Sequence, residues 1–213
     1  MSSESQYKSF RYTLLKNANL TGIPYTIDYF EATGIKQYKI SIRKKLVYVV
    51  ELYDYKGFVF LKFHPKIHES NPDRYQITTM GLTHSEKRKL LNTCCLIVLD
   101  EIDKQLNDDI IYAFFGQWYD KDNQQNRLIA KRFNLYEKQV TTFFSIEHFK
   151  HFKFDPINLY CLSAIQNNKF ESLILDLLQT LSENQDFVAQ FMTKRAIDEY
   201  LNFEWINQNN PKL

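Results

Sequence analysis

THSEKRKLLNTCCLIVLDEIDKQL, residues 83–106, is where the hydrophobic period of the chain changes. Leu90, Leu91, Cys94, Cys95, Val98, Ile102 and Leu106 recur at helical spacing, forming one stripe at 3.6 residues per turn. Thr83 with Glu86 three residues later is a capping-box signature, in which hydroxyl and carboxylate each take a backbone N–H that the first turn leaves unsatisfied. A long helix is therefore predicted over 83–106.

Upstream of it the pattern is period two, or short apolar runs bounded by turn residues. IPYTIDYF (23–30), YKISI (38–42), LVYVVELY (46–53), FVFLKFH (58–64) and RYQITTM (74–80) read as five strands. DYKG (54–57) between the third and fourth is a hairpin turn in which Gly57 can take positive φ. Downstream, DDIIYAFFGQW (108–118) is an unbroken apolar run suited to a strand covered on both faces. A helix begins near Asp122 or Asn123, and TTFFSI (141–146) and NLYCLSAI (158–165) read as strands. A meander followed by helix, strand, helix, strand and strand predicts an α+β domain around one mixed, mostly antiparallel sheet.

After Asn168 the pattern is helical only. Phe170, Leu173, Ile174, Leu177, Leu178 and Leu181 make a wide apolar stripe, and Asp186 can cap a further helix carrying Phe187, Val188, Phe191 and Met192. The expected organisation is residues 1–168 as the α+β domain and 169–213 as a helical C-terminal extension. The stripe has to be covered, first by the chain's own sheet and second by a homodimer or partner-protein contact.

Composition fits this reading. Hydrophobic residues at 44% and charged residues at 24% describe a globular chain, and a net charge of +2 gives no general drive toward phosphate or anionic membrane. The basic runs RKK (43–45) and KRK (87–89) are short, and the aromatic strands lack the Lys/Arg-Gly-Phe pattern of sheet-type RNA binders, so nucleic-acid binding finds no support in the sequence. No stretch has the length of a membrane span and the first residues lack an apolar signal core, which leads to the expectation of a cytoplasmic protein. Cys94 and Cys95 are adjacent in a helical pattern and Cys161 sits in an apolar run, and at least two of the three read as buried thiols. His64 and His68, and His148 and His151, have no well-placed carboxylate or cysteine beside them; they read as surface or loop histidines, and no metal site is expected.

The order of elements resembles the acetyltransferase-like fold called GNAT: an antiparallel meander, a long helix, a central strand, a second helix and a closing pair of strands, covering roughly residues 23–165. FLKFHPKIHESNPDRYQITTM and NQQNRLIAKRF are similar to pieces of small Bacteroidota proteins that look like the same fold. The resemblance implies an acetyl-CoA pyrophosphate cradled by a turn of the form Arg/Gln-x-x-Gly-x-Gly/Ala, here at TMGLTHSEKRK (79–89). It also implies a tyrosine acid, here Tyr136 in LYEK (135–138). Candidate cofactor contacts are then Gly81, Thr83, Ser85, Lys87 and Arg88. Gly81 is the only glycine of that turn, and the β-carbons of Leu82, Thr83, His84 and Ser85 crowd a close backbone approach. Tyr136 shares a stripe with Ile129, Phe133 and Val140, the side of its helix that faces the sheet.

The first expectation is therefore a non-catalytic interaction or regulatory protein that keeps the fold without the cofactor. Its working surface would be on the C-terminal helices, with Phe170, Leu173, Leu177, Phe187 and Phe191 as anchors. The alternative is an acetyl-CoA-dependent N-acyltransferase with an atypical loop at Gly81 to Arg88 and Tyr136 as acid.

Overall fold

The alternation read in the meander becomes three long antiparallel strands, β4 (Gly34–Arg43), β5 (Leu46–Tyr55) and β6 (Phe58–Pro65). The turn between β5 and β6 is tight because Lys56 and Gly57 both take positive φ, 42° and 86°, the left-handed pair that matches the twist of a two-residue hairpin. The computed structural model describes residues 8–20, 26–27, 30–71, 74–75, 81–104, 109–115, 123–154 and 158–183, without the side chains of 26–27 and 123–132.

Three further strands and an unexpected first one complete a seven-stranded sheet: β1 (Tyr12–Asn19), β7 (Ile111–Phe115), β8 (Phe149–Phe154) and β9 (Leu159–Ala164). The order is β1-β4-β5-β6-β7-β9-β8, antiparallel everywhere except between β6 and β7. Helix α1 (His84–Lys104) makes the crossover that a parallel pair requires. Helices α2 (Asn123–Phe143) and α3 (Phe170–Glu183) follow β7 and β9.

Because side chains alternate along each strand, the sheet carries two cores. Tyr48, Val50 and Leu52 of β5, with Val59, Phe63, Tyr112, Tyr160 and Leu162, pack under α1 and α2. Tyr53, Tyr55, Phe58, Phe60, Ile111, Ala113 and Cys161 pack on the opposite face under α3. That face also takes Phe30 from a small separate hairpin, β2 (Thr26–Ile27) and β3 (Phe30–Glu31). Strand β7 is thus covered on both faces, as its apolar run predicts. All three cysteines are buried and free.

Four expectations are corrected. The strand placed at 23–30 is not in the main sheet; where it is described it is the β2–β3 hairpin, and β1 takes the position beside β4. The strand placed at 74–80 begins as a turn at Arg74 and Tyr75, and residues 76–80 lie outside the described ones. TTFFSI is not a strand: α2 runs through Phe143. Thr141 and Thr142 give their hydroxyls to the carbonyls of Glu137 and Lys138 one turn back, a local bond that lets β-branched residues sit in a helix. The strand there is FKHFKF, β8. Finally, His64 is not a surface residue but lies fully buried on β6, and His151 is half-buried with its Nδ1 2.8 Å from the Tyr160 hydroxyl.

Helix α3 is part of the main core. Phe170, Ile174, Leu177, Leu178 and Leu181 are all buried against the sheet. At about 1.5–3 kcal/mol for each side chain, their burial contributes on the order of 10 kcal/mol before the entropy of ordering the helix is subtracted. No described helix is long and apolar enough to cross a membrane.

Candidate functional site

The middle of the sheet is where its regularity fails. β6 and β7 pair only through Phe58–Phe60 with Ile111–Ala113. β6 then continues to Pro65 bonded to β5, while Phe114 and Phe115 continue bonded to β9, so the two strands part. On the α1–α2 face Tyr136 spans the parting, its ring centroid 6.1 Å from Phe63 of β6 and 6.1 Å from Phe114 of β7, edge-on to both. Tyr136 faces the sheet as the helical spacing predicts, yet it is half-buried rather than enclosed.

At the N-terminus of α1 the capping box forms as read. The Thr83 N–H donates to Glu86 Oε2 at 2.9 Å, and the Glu86 N–H donates to Thr83 Oγ1 at 3.3 Å. The Glu86 carboxylate is also gripped by the guanidinium of Arg43, from the end of β4, through Nε at 2.6 Å and through Nη2. Arg43 and the Thr83 donors together hold the Glu86 carboxyl down to about 2. Gly81 has φ +75°, and an added β-carbon would meet nothing within 4 Å. Its glycine therefore serves backbone conformation and not a close packing approach. Ser85 and Arg88 are exposed and Lys87 is half-buried.

The opposite face of β4–β6 carries a polar cluster that no motif announces. The Glu51 side chain is 3% exposed. It accepts from Gln37 Nε2 at 2.7 Å and from the Tyr75 hydroxyl at 2.5 Å. The Tyr75 hydroxyl in turn accepts from Arg74 Nη2 at 2.9 Å and lies 3.0 Å from that of Tyr53. His64 Nδ1 is 3.1 Å from the Pro65 carbonyl, which can only accept, so that nitrogen carries a proton. Its Nε2 points at Glu51 Oε2 from 3.6 Å, too long for a hydrogen bond and close enough for strong electrostatic attraction when the ring is charged. Burial alone would raise the Glu51 carboxyl; His64, Tyr75 and Gln37 reverse that and bring it down to about 2. Sequence reading names Glu51 as a candidate base with no context that distinguishes it, and places His64 at the surface. The available signal was register: Glu51 stands opposite Gln37 on one side and Lys62 on the other, a row of polar residues across strands that are otherwise apolar inward.

The proposed anchors of α3 face inward. Phe170 and Leu177 are 5% and 2% exposed, and Leu173 is half-buried over Gly57. Phe187 and Phe191 lie outside the described residues. Thus Tyr136 and the Gly81–Arg88 segment belong to the α1–α2 side of the sheet and the α3 residues to the other. Among the described residues no group of three or more His, Cys, Asp or Glu side chains is placed to hold a metal ion. Comparison with known proteins finds no matching family model, no matching curated protein and no matching solved structure.

Proposed function

We propose that this chain is a non-catalytic interaction or regulatory protein on an acetyltransferase-like fold. The observation that carries the reading is the occupancy of the α1 N-terminus. In that fold the cofactor's pyrophosphate needs the positive end of this helix, and here the position is taken by the chain's own Glu86 carboxylate, fixed by Thr83 and Arg43. An incoming diphosphate finds the Thr83 and Glu86 N–H groups already bonded within the chain. The inward stripe of α3 is committed to the core, so the partner contact does not use that stripe. The test is thermal denaturation with and without 1 mM acetyl-CoA. No change in Tm is expected. A ligand at a hundred times its Kd adds about 2.7 kcal/mol, several degrees for a chain of this size. Such a shift, abolished by Lys87→Glu with Arg88→Glu, would overturn the reading.

One observation favours the acetyl-CoA-dependent N-acyltransferase as the second reading: Tyr136 spans the place where β6 and β7 part, at the side of the sheet that also presents the Gly81–Arg88 segment. Under it, Tyr136→Phe would remove turnover of an amine acceptor while leaving Tm within about a degree.

A further inference from the structure

The two basic runs at 43–45 and 87–89 are more than forty positions apart in the chain and adjoin one another in the fold. The bond from Arg43 Nε to Glu86 Oε1, 2.6 Å, clasps the β4–β5 turn to the first turn of α1. This brings the turn that carries Lys44 and Lys45 to the end of the helix that carries Lys87 and Arg88. A third basic segment joins them: the Asn92 side chain donates to the Lys8 carbonyl at 2.9 Å, the Phe10 N–H donates to Thr93 Oγ1 at 2.9 Å, and Lys89 Nζ stands 5.5 Å from the Phe10 ring centroid. This lays Lys8 along the same end of the helix. Glu86, the one acid on these segments, is already neutralised by Arg43.

Helix stability does not explain the arrangement. Lys87, Arg88 and Lys89 occupy the first turns of α1, where the dipole disfavours cations, and Asp100, Glu101 and Asp103 occupy its last turns, where it disfavours anions. The acids have local work: Glu101 binds Lys36, Tyr38 and Lys104, and Asp100 accepts from Tyr12. Lys44, Lys45, Lys87 and Arg88 have no acidic partner within ion-pair distance among the described residues, and three of the four are exposed.

We propose that this patch is a nucleic-acid contact that grips the phosphate backbone without reading sequence. It rests on the interaction-protein reading, in which acetyl-CoA does not occupy this patch, and goes beyond it by naming a partner. Phosphate-driven binding needs cations gathered on one face, which the fold supplies although the chain's net charge is only +2. A protein partner fits less well, because protein interfaces place apolar anchors at their centre. Among the described residues, none of the exposed large apolar side chains, Leu14, Leu15, Ile67, Ile146 and Ile165, lies on the three basic segments.

Fluorescence anisotropy of a labelled 24-base-pair DNA duplex of mixed sequence, and of a single-stranded RNA of the same length, tests it between 50 and 200 mM salt. Engagement of about four phosphates gives a log–log salt slope of about −3.6 on the duplex. Lys44→Glu with Lys45→Glu, and separately Lys87→Glu with Arg88→Glu, should each weaken binding on the order of tenfold at fixed salt. Acidic residues at the α1 N-terminus suit the dipole, so the second pair should fold with an unchanged or higher Tm, and weaker binding cannot then be ascribed to unfolding. Absence of binding at 50 mM salt, or variants that both bind as tightly as the parent chain, would overturn the proposal. So would tighter attachment to phosphatidylserine vesicles than to either nucleic acid, or displacement of the duplex by micromolar acetyl-CoA, which would return the patch to a lipid surface or to the cofactor.

Discussion

Replacing Glu51 by Gln removes one charge from the buried cluster at nearly constant volume, and its effect should depend on pH in a defined way. The Glu51 carboxyl ionises at about 2 in the folded protein against an ordinary value of 4.5. A depressed acid stabilises the folded state above its unfolded value and loses that stabilisation as pH falls toward its folded value. At 1.36 kcal/mol per unit this amounts to about 3 kcal/mol at pH 7, less than half of that at pH 3 and little at pH 2. Removing one partner of a buried pair falls in the same range, about 3–5 kcal/mol. Glu51→Gln should therefore lower Tm at pH 7 by about 6–12 °C. In urea titrations its difference from the parent chain should shrink by about 2 kcal/mol between pH 7 and pH 3. A difference that stays constant over this interval would refute the electrostatic account and leave only packing. A loss below about 1 kcal/mol at pH 7 would refute the claim that Gln37, Tyr75 and His64 act on Glu51 in a water-poor site.

Phe170→Ala and Leu177→Ala should cost about 3–5 and 2–5 kcal/mol, measured by chemical denaturation; if they instead leave Tm unchanged, α3 is not committed to the core. Gly34→Ala drives a β-carbon into Asp54 Oδ2 and should destabilise on the order of 1 kcal/mol. Asp54→Ala in the same chain should recover most of it, a coupling that a double-mutant cycle reads directly. Thr83→Ala should lower stability by about 1 kcal/mol with Thr83→Ser close to the parent, since only the hydroxyl cap is at stake.

The sequence carried α1, β4, β5, β6 and β7 because each is fixed by information within a few residues. An apolar stripe at 3.6 spacing, alternation at period two and a Thr83–Glu86 capping box are local patterns, and so is the need for Gly57 at a left-handed turn position. It misplaced β8 for an equally local reason: Thr141 and Thr142 look like strand residues until their hydroxyls find carbonyls on the preceding turn. β1 was missed because an edge strand that buries almost nothing, exposed along most of Tyr12–Asn19, leaves no clear hydrophobic period to read.

The candidate sites divide the same way. Tyr136 and the Gly81–Arg88 segment could be proposed from letters in a row, and the cap at Thr83 is where the sequence put it. The Glu51, His64, Gln37 and Tyr75 cluster could not, because its members come from β5, β6, β4 and the segment after β6, and each is unremarkable on its own strand. The joining of RKK with KRK is invisible for the same cause. Periodicity states which face of an element is apolar, but strand order and register decide which residues meet across elements, and those are set by the summed packing of the whole core. The sequence by itself thus determined an α+β chain with its main helices and central strands. Only the tertiary structure decided that α3 faces inward, that Arg43 locks Glu86 at the end of α1, and that two short basic runs come to the same end of that helix.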